Sequence, residues 1–401
     1  MSSQKMEALG RHRSVIREIF EYGRRRREEI GAENVFDFSL GNPSVPAPPE
    51  VNETLAELLR TRDAAVLHGY TSAAGDLSVR EAIAAYLRAA HGASASASLI
   101  YLTVGAAAAL TISLRALLSD AGGDEVIAIA PYFPEYKVFT EAAGGRLVSV
   151  AAREDMQVDT ARLASAVTER TRAVILNSPN NPSGAVLSEE NIREIAAVLR
   201  AAEECIGHPI YLIADEPYRE LVYGDVKPPY LPLYYDNTLV CYSFSKSLSL
   251  PGERIGYIAV SPRAVDAEGV YAAVMGAGRA LGYVCAPALF QYMIPACLGK
   301  TADISVYREN RDRLTAALAE YGYSFVRPDG AFYLFVRALE ADAVRFCERA
   351  KKHELLLVPS DDFDYPGYVR IAYCVTPAQI TRALPAFRAL AEEYRKEKAN
   401  G

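Results

Sequence analysis

From residue 80 onward the chain alternates between two kinds of apolar pattern. "VREAIAAYLRAAHG" places its apolar residues at helical spacing and stops at Gly92, a residue that ends helices because it accepts left-handed backbone. "LIYLTVG", "EVIAIAPY", "RLVSVA" and "RAVILNSP" are short β-rich runs bounded by turn residues, and "PIYLIADEPY" and "TLVCYSFSK" repeat them. Such runs predict strands, and strands alternating with helices predict an α/β fold with a mostly parallel central sheet covered by helices on both faces. Beyond Pro295 the texture changes to helix, short strands and helix: "VYRENRDRLTAALAEYG", then "SFV" and "GAFYLFV", then "DAVRFCERAKKHE", "LLLVP", "YVRIAYC" and a last helix from about Pro377. This predicts a smaller α+β domain. "FDFSLGNPSVPAPP" is too proline-rich for a sheet interior, so the first residues are expected to join the small domain. The expected division is a large domain over 51–297 and a small one built from 1–50 and 298–401.

Open parallel sheets bind ligands outside the carboxyl ends of their strands. Polar signatures stand at those ends here: "VGAAAA" after one strand, "NSPNNPSG" after another, "ADEPY" after a third and "SFSK" after a fourth. Four strand ends are therefore expected to converge on one crevice.

Composition narrows what the crevice serves. The 401 residues are half apolar and carry a formal net charge of -7, against a general binder of nucleic acid or anionic membrane, which needs a basic field. The one arginine run, Arg24 to Arg27, is answered at once by Glu28 and Glu29 and reads as a solvated helix face. The six cysteines form no C-x-x-C pair and the five histidines no metal-binding cluster, so reduced thiols and metal-free chemistry are expected. "MSSQKMEALGRHRSVIREIF" is charged and lacks the apolar core of a signal peptide, and no stretch is long and apolar enough to span a bilayer. The cytoplasm is the expected compartment.

Each candidate part has two readings. Gly105 and Ala106 open a helix after "YLTV", where free backbone N–H groups and the helix dipole favour an anion such as phosphate; a tight strand-to-helix turn also wants small residues. Asp215 ends an apolar strand, where a carboxylate must be paired, or it caps a helix beginning "EPYREL". Lys246 ends another, either as an amine made nucleophilic by its surroundings or as a lysine reaching out to solvent. Ser243 and Lys246 also spell S-x-x-K, as in serine acylases of the penicillin-binding type, but the S-D-N and K-T-G strings that accompany it there do not occur. Arg254 can return to a phosphate that Ser243 touches, since its planar fork matches phosphate oxygens. "GAGRALG", residues 276 to 282, lacks the spacing and preceding strand of a dinucleotide site and reads as close-packed connection between domains. Together, a lysine, an acid and a phosphate cradle describe a site for pyridoxal 5'-phosphate.

"NSPNNPSG", "ADEPY", "SFSKSLSLPGERIG" and "PGYVRIAYC" occur in the order and spacing of a known family. Over nearly its whole length the chain resembles the class I/II aminotransferases of the fold-type I pyridoxal phosphate group, aspartate aminotransferase-like. The resemblance implies that Lys246 forms the internal aldimine and shuttles the substrate proton, and that Asp215 keeps the pyridine nitrogen protonated. It places Tyr218 and Asn181 on the phenolic oxygen, and Gly105, Ala106, Ser243, Ser245 and Arg254 around the phosphate. Tyr70 would reach the phosphate of a neighbouring subunit, which implies a homodimer with composite sites. Phe133, in preference to Tyr132, would stack on the ring; Arg370 would grip the substrate α-carboxylate; Gly41 marks the N-terminal segment that closes over the substrate. The reaction implied is transfer of an amino group from an L-amino acid, aspartate-like, to a 2-oxo acid. The runner-up is a carbon–sulfur β-lyase, and a DNA-binding regulator is disfavoured because the first fifty residues are too proline-broken for a winged helix. Arg279 is the candidate for a second carboxylate, whereas the acidic residues of "VPSDDFDYPGYVR" would repel one.

Overall fold

The computed structural model describes residues 2–11 and 15–400. His12 and part of the charged N-terminal stretch lie outside the described residues. In chain order the strands are β1 (Phe36–Asp37), β2 (Ile100–Thr103), β3 (Glu125–Ala130), β4 (Arg146–Ala151), β5 (Thr171–Asn177), β6 (Tyr211–Asp215), β7 (Thr238–Ser243), β8 (Gly256–Val260), β9 (Tyr333–Arg337), β10 (Leu355–Leu356), β11 (Val358–Pro359) and β12 (Tyr368–Ala372).

The central sheet has seven strands in the order β2-β8-β7-β6-β5-β3-β4. β4, β3, β5, β6 and β7 pair parallel, and β8 runs antiparallel between β7 and β2. The sheet is thus the mostly parallel one expected, with β8 as its single reversed member. Both faces are covered, which is why the strands read as apolar runs without alternation. On one face Leu212, Ala214 and Val240 pack with Ile83, Leu199 and Met293 from helices Leu77–His91, Glu189–Ile206 and Ala288–Cys297. On the other, Ile213, Leu239 and Cys241 pack with Ala109, Ile112 and Val274 from helices Ala106–Leu117 and Ala267–Ala280. Local signals set the ends: Asp76 and Ser188 accept from backbone N–H groups at helix starts, and Gly92 closes its helix in left-handed geometry.

A second core lies around the antiparallel sheet β11-β12-β9, where Tyr307, Leu314, Phe346 and Phe387 of the C-terminal helices meet Leu334 and Ile371. Phe38 and Val45 from the N-terminal segment belong to this core, as do Tyr218 and Leu221 from the turn after β6. β1 pairs parallel with β10, just before the proline-rich stretch begins.

Three sequence expectations are corrected. "EPYREL" forms turns and no helix, so Asp215 is not a helix cap. "GAGRALG" is not a connection: residues 276–280 end the helix Ala267–Ala280, packed on Ala106–Leu117 with Gly278 against Tyr101. The arginine run is only half solvated. Arg24 and Arg25 are exposed, whereas Arg26 pairs with Glu354 at 2.6 Å and Arg27 with Asp37 at 2.6 Å, fastening the helix Val15–Ile30 to β1 and the turn before β10. No helix among the described residues is long and apolar enough to cross a membrane.

Ile213 sits in the middle of the sheet with no exposure. Ile213→Ala is expected to destabilise the protein by about 2–5 kcal/mol, the cost of a large-to-small change in a close-packed core. Chemical denaturation would measure it, and a loss below about 1 kcal/mol would contradict this placement of the core.

Candidate active site

The carboxyl ends of β2, β3, β5, β6 and β7 open onto one cavity of about 310 Å³, lined by Ala106, Phe133, Asn181, Asp215, Tyr218, Ser243, Ser245, Lys246 and Arg254 from the large sheet's loops and by Gly41 and Arg370 from the other side. Pairing levels the strand ends: Asn177 stands opposite Asp215, and Ser243 and Thr103 flank Gly256 from either side. Gly105 lies beside the cavity as the residue preceding the helix Ala106–Leu117.

Three sequence candidates fall elsewhere in this chain. Tyr70 is 97% exposed and Arg279 is exposed on its helix, neither lining the cavity. The Tyr132 side chain turns away, its hydroxyl 3.4 Å from Asp364, and leaves Phe133 as the ring on the cavity wall.

Asp215 is buried at the end of an apolar strand. Tyr136 donates to its Oδ2 at 2.5 Å, while Oδ1 is buried with no protein partner. Burial pushes this carboxyl up to about 7, and the Tyr136 hydrogen bond only partly opposes it. A cationic N–H facing Oδ1 would satisfy the orphan oxygen and restore the charge.

Lys246 follows β7 in the short helix Phe244–Ser247. Its Nζ donates to the Gly41 carbonyl at 2.6 Å and lies 5.5 Å from the centre of the Phe332 ring. Burial draws its pKa down to about 8; Cys374 opposes this, and the charges of Arg254 and Arg370 add to it. A lysine so placed has a sizeable neutral fraction near neutrality, the form that attacks a carbonyl.

The anion cradle is built from backbone and hydroxyls. Gly105 has φ 87° and no side-chain cap is made to the helix that follows, so the first helical N–H groups stay available. A Cβ on Gly105 would come within 2.5 Å of Arg254 Nη2, so a side chain there would adopt a disfavoured backbone and push the guanidinium aside. Ser243 Oγ lies 2.8 Å from Ser245 Oγ, which accepts from Arg254 Nη1 at 3.2 Å. Arg254 itself holds φ 52°, a left-handed backbone that costs a non-glycine residue about 1 kcal/mol or more and is a form of strain that collects at functional sites.

Arg370 rises from β12, buried to 2% exposure. It donates to Asn181 Oδ1 at 3.1 Å and to the Ser39 carbonyl, leaving Nε buried without a partner. Among the described residues no carboxylate pairs with it, and burial lowers its pKa. A buried guanidinium with spare donors is a receptor for a carboxylate.

Sequence reasoning passed over three residues. Asn177 ties the floor together, donating to the Asp215 carbonyl at 2.8 Å and accepting from the Asn181 N–H at 2.7 Å. Tyr136 supports Asp215, and Tyr333 lines the cavity with its hydroxyl 3.0 Å from that of Tyr218. Asn177 stood inside "LNSPNNPSG"; Tyr136 and Tyr333 come from a helix and a distant strand, with no local pattern to mark them.

The donor set fits pyridoxal phosphate: an orphan carboxylate oxygen for the ring nitrogen, an amine for the aldehyde carbon and a cradle for the phosphate. The family described as aminotransferase class I and II matches residues 33–387, and the chain belongs to it. It is a pyridoxal phosphate-dependent aminotransferase. Its relatives include the aspartate aminotransferase of Thermotoga maritima, 30% identical over 88% of this chain and 90% of that one, and the aspartate/prephenate aminotransferase of Thermus thermophilus, 30% identical over 87% and 89%. Among solved structures, an amino transferase from Eubacterium rectale superimposes with a TM-score of 0.96 at 55% identity, covering 98% and 99% of the two chains. The Thermus thermophilus aspartate aminotransferase with maleate gives 0.85 at 27% identity, over 97% and 100%.

The raised Asp215 carboxyl predicts a pH signature for protein stripped of cofactor. The folded form holds this proton above the unfolded pKa, so the associated stability is full below about pH 4 and is lost as pH rises through about 7. Asp215→Asn, neutral throughout, should match the parent at pH 4 and exceed it at pH 8 by an amount on the order of a few kcal/mol. Parallel pH profiles of thermal unfolding would contradict the assignment.

Proposed function

We propose that this enzyme transfers an amino group between an L-amino acid, aspartate-like, and a 2-oxo acid, with Lys246 as the residue that carries the cofactor and moves the substrate proton. The observation that carries this reading is the placement of three buried groups around one cavity: the Lys246 amine, the orphan oxygen of Asp215 and the unneutralised guanidinium of Arg370.

Bound there, pyridoxal phosphate supplies the electron sink that lets a Cα–H bond break. Asp215 holds the proton on the ring nitrogen. Tyr218 and Asn181 would hydrogen-bond the phenolic oxygen, Phe133 would pack against the ring, and the helix start at Gly105 and Ala106 would hold the phosphate with Ser243, Ser245 and Arg254. Arg370 takes the substrate α-carboxylate in its planar fork, which aims the Cα–H at Lys246. Gly41 and its neighbours cover the site, and the small domain formed by 1–50 and 298–401 closes with them, excluding water from the reacting atoms. Tyr70, exposed in one protomer, would complete the phosphate site of a second in a cytoplasmic homodimer. The aspartate-like donor is supported by relatives named for aspartate and by a neighbour solved with maleate, a dicarboxylate. The β-lyase alternative gains no support from relatives that are aminotransferases.

The purified holoenzyme should show a visible absorption band that bleaches with L-aspartate and returns with a 2-oxo acid. A band that persists through an amino-acid panel would overturn the proposal. Lys246→Ala should fold and lose more than about a hundredfold in turnover, the contribution of a positioned acid–base group; retained transamination would exclude Lys246. Arg370→Ala should lower kcat/KM by roughly ten- to a hundredfold through the missing charge-assisted pair, and an unchanged value would remove Arg370 from carboxylate recognition.

A further inference from the structure

Tyr333 is buried to 2% exposure and stands where three functional groups meet. Its hydroxyl lies 3.0 Å from the Tyr218 hydroxyl, with the two rings edge to face at 5.7 Å. The Arg370 guanidinium sits 4.7 Å from the centre of its ring. The hydroxyl also presses against Gly41, so closely that a Cβ there would collide with it, and the Gly41 carbonyl is the acceptor for Lys246 Nζ.

A hydroxyl has one proton to give. Tyr218 cannot donate both to Tyr333 and to a cofactor oxygen in the cavity, so once Tyr218 donates inward its own oxygen becomes the acceptor for Tyr333. Two O–H bonds in series polarise one another, and the outer one strengthens the inner. Resting on the reading that Tyr218 faces the phenolic oxygen of pyridoxal phosphate, we infer that Tyr333 is a positioning residue: it donates to Tyr218, strengthens that bond, and links it to the carboxylate clamp of Arg370 and to the covering segment at Gly41.

Stronger donation to the phenolic oxygen favours the state in which the nearby imine nitrogen has lost its proton, and so lowers the pH at which the visible band changes. Tyr333→Phe keeps the ring against Arg370 and removes only the hydroxyl. In the holoenzyme, the pH midpoint of the visible band should rise by about 0.3 to 1 unit, the worth of one net hydrogen bond. In the same variant, kcat should fall roughly two- to tenfold with KM for the amino donor nearly unchanged. The double variant Tyr218→Phe with Tyr333→Phe should match Tyr218→Phe alone in midpoint, because Tyr333 acts through Tyr218. An unshifted midpoint in Tyr333→Phe, or shifts that add in the double variant, would overturn the inference. Absence of a visible band in the parent holoenzyme would instead overturn the cofactor reading beneath it.

Discussion

The constraint on which the structure depends is the covering of a parallel sheet on both faces. β3, β5, β6 and β7 are buried above and below by helices, so every side chain along them must be apolar or paired until the strand ends. At their carboxyl ends the chain turns, the helix layers part, and polar groups meet space. Asp215, Asn177, Ser243 and Lys246 all stand at that line. The reversed β8 keeps its neighbours in register, setting Thr103 and Ser243 on either side of Gly256. Gly105, Ser243 and Asp215 are thereby positioned by strands of one sheet.

The site contains ionisable groups that the protein alone leaves imperfectly satisfied. Asp215 has one bonded oxygen and one orphan, Arg370 has an unpartnered Nε, and Lys246 leans on a backbone carbonyl. Each arrangement costs stability in isolation. Taken together they form the negative image of a bound molecule with a cationic ring nitrogen, an electrophilic carbon and a carboxylate-bearing partner. The small sheet supplies the last of these contacts, because Arg370 projects from β12 toward Asn181 on the loop after β5.

Much of this was legible in the residues. The strands β2 to β7 announced themselves as apolar runs ending in polar signatures, and those signatures carried most of the cavity. What was not legible depended on distance along the chain. Tyr136 reaches Asp215 across 79 positions and Tyr333 reaches Tyr218 across 115, and no periodicity encodes such meetings. β8 follows so closely on the Lys246 and Arg254 stretch that the chemistry of that stretch masked its strand pattern. "EPYREL" reads as a helix start, whereas residues 217–220 form turns with Glu216 and Arg219 buried. "GAGRALG" reads as a connection between domains, yet it ends a helix, and of its glycines only Gly278 makes a close approach, to Tyr101 on β2. Arg26 and Arg27 looked solvated because their partners, Glu354 and Asp37, lie 328 and 10 positions away.

Lys246, at the meeting point of the strand ends, is the lysine proposed to carry the cofactor. The most direct test of this proposal is reduction of the holoenzyme with borohydride, followed by proteolysis and mass mapping of the modified peptide. The account predicts a single pyridoxyl-phosphate adduct on the peptide containing Lys246, and an adduct on any other lysine, or none with the cofactor bound, would contradict it.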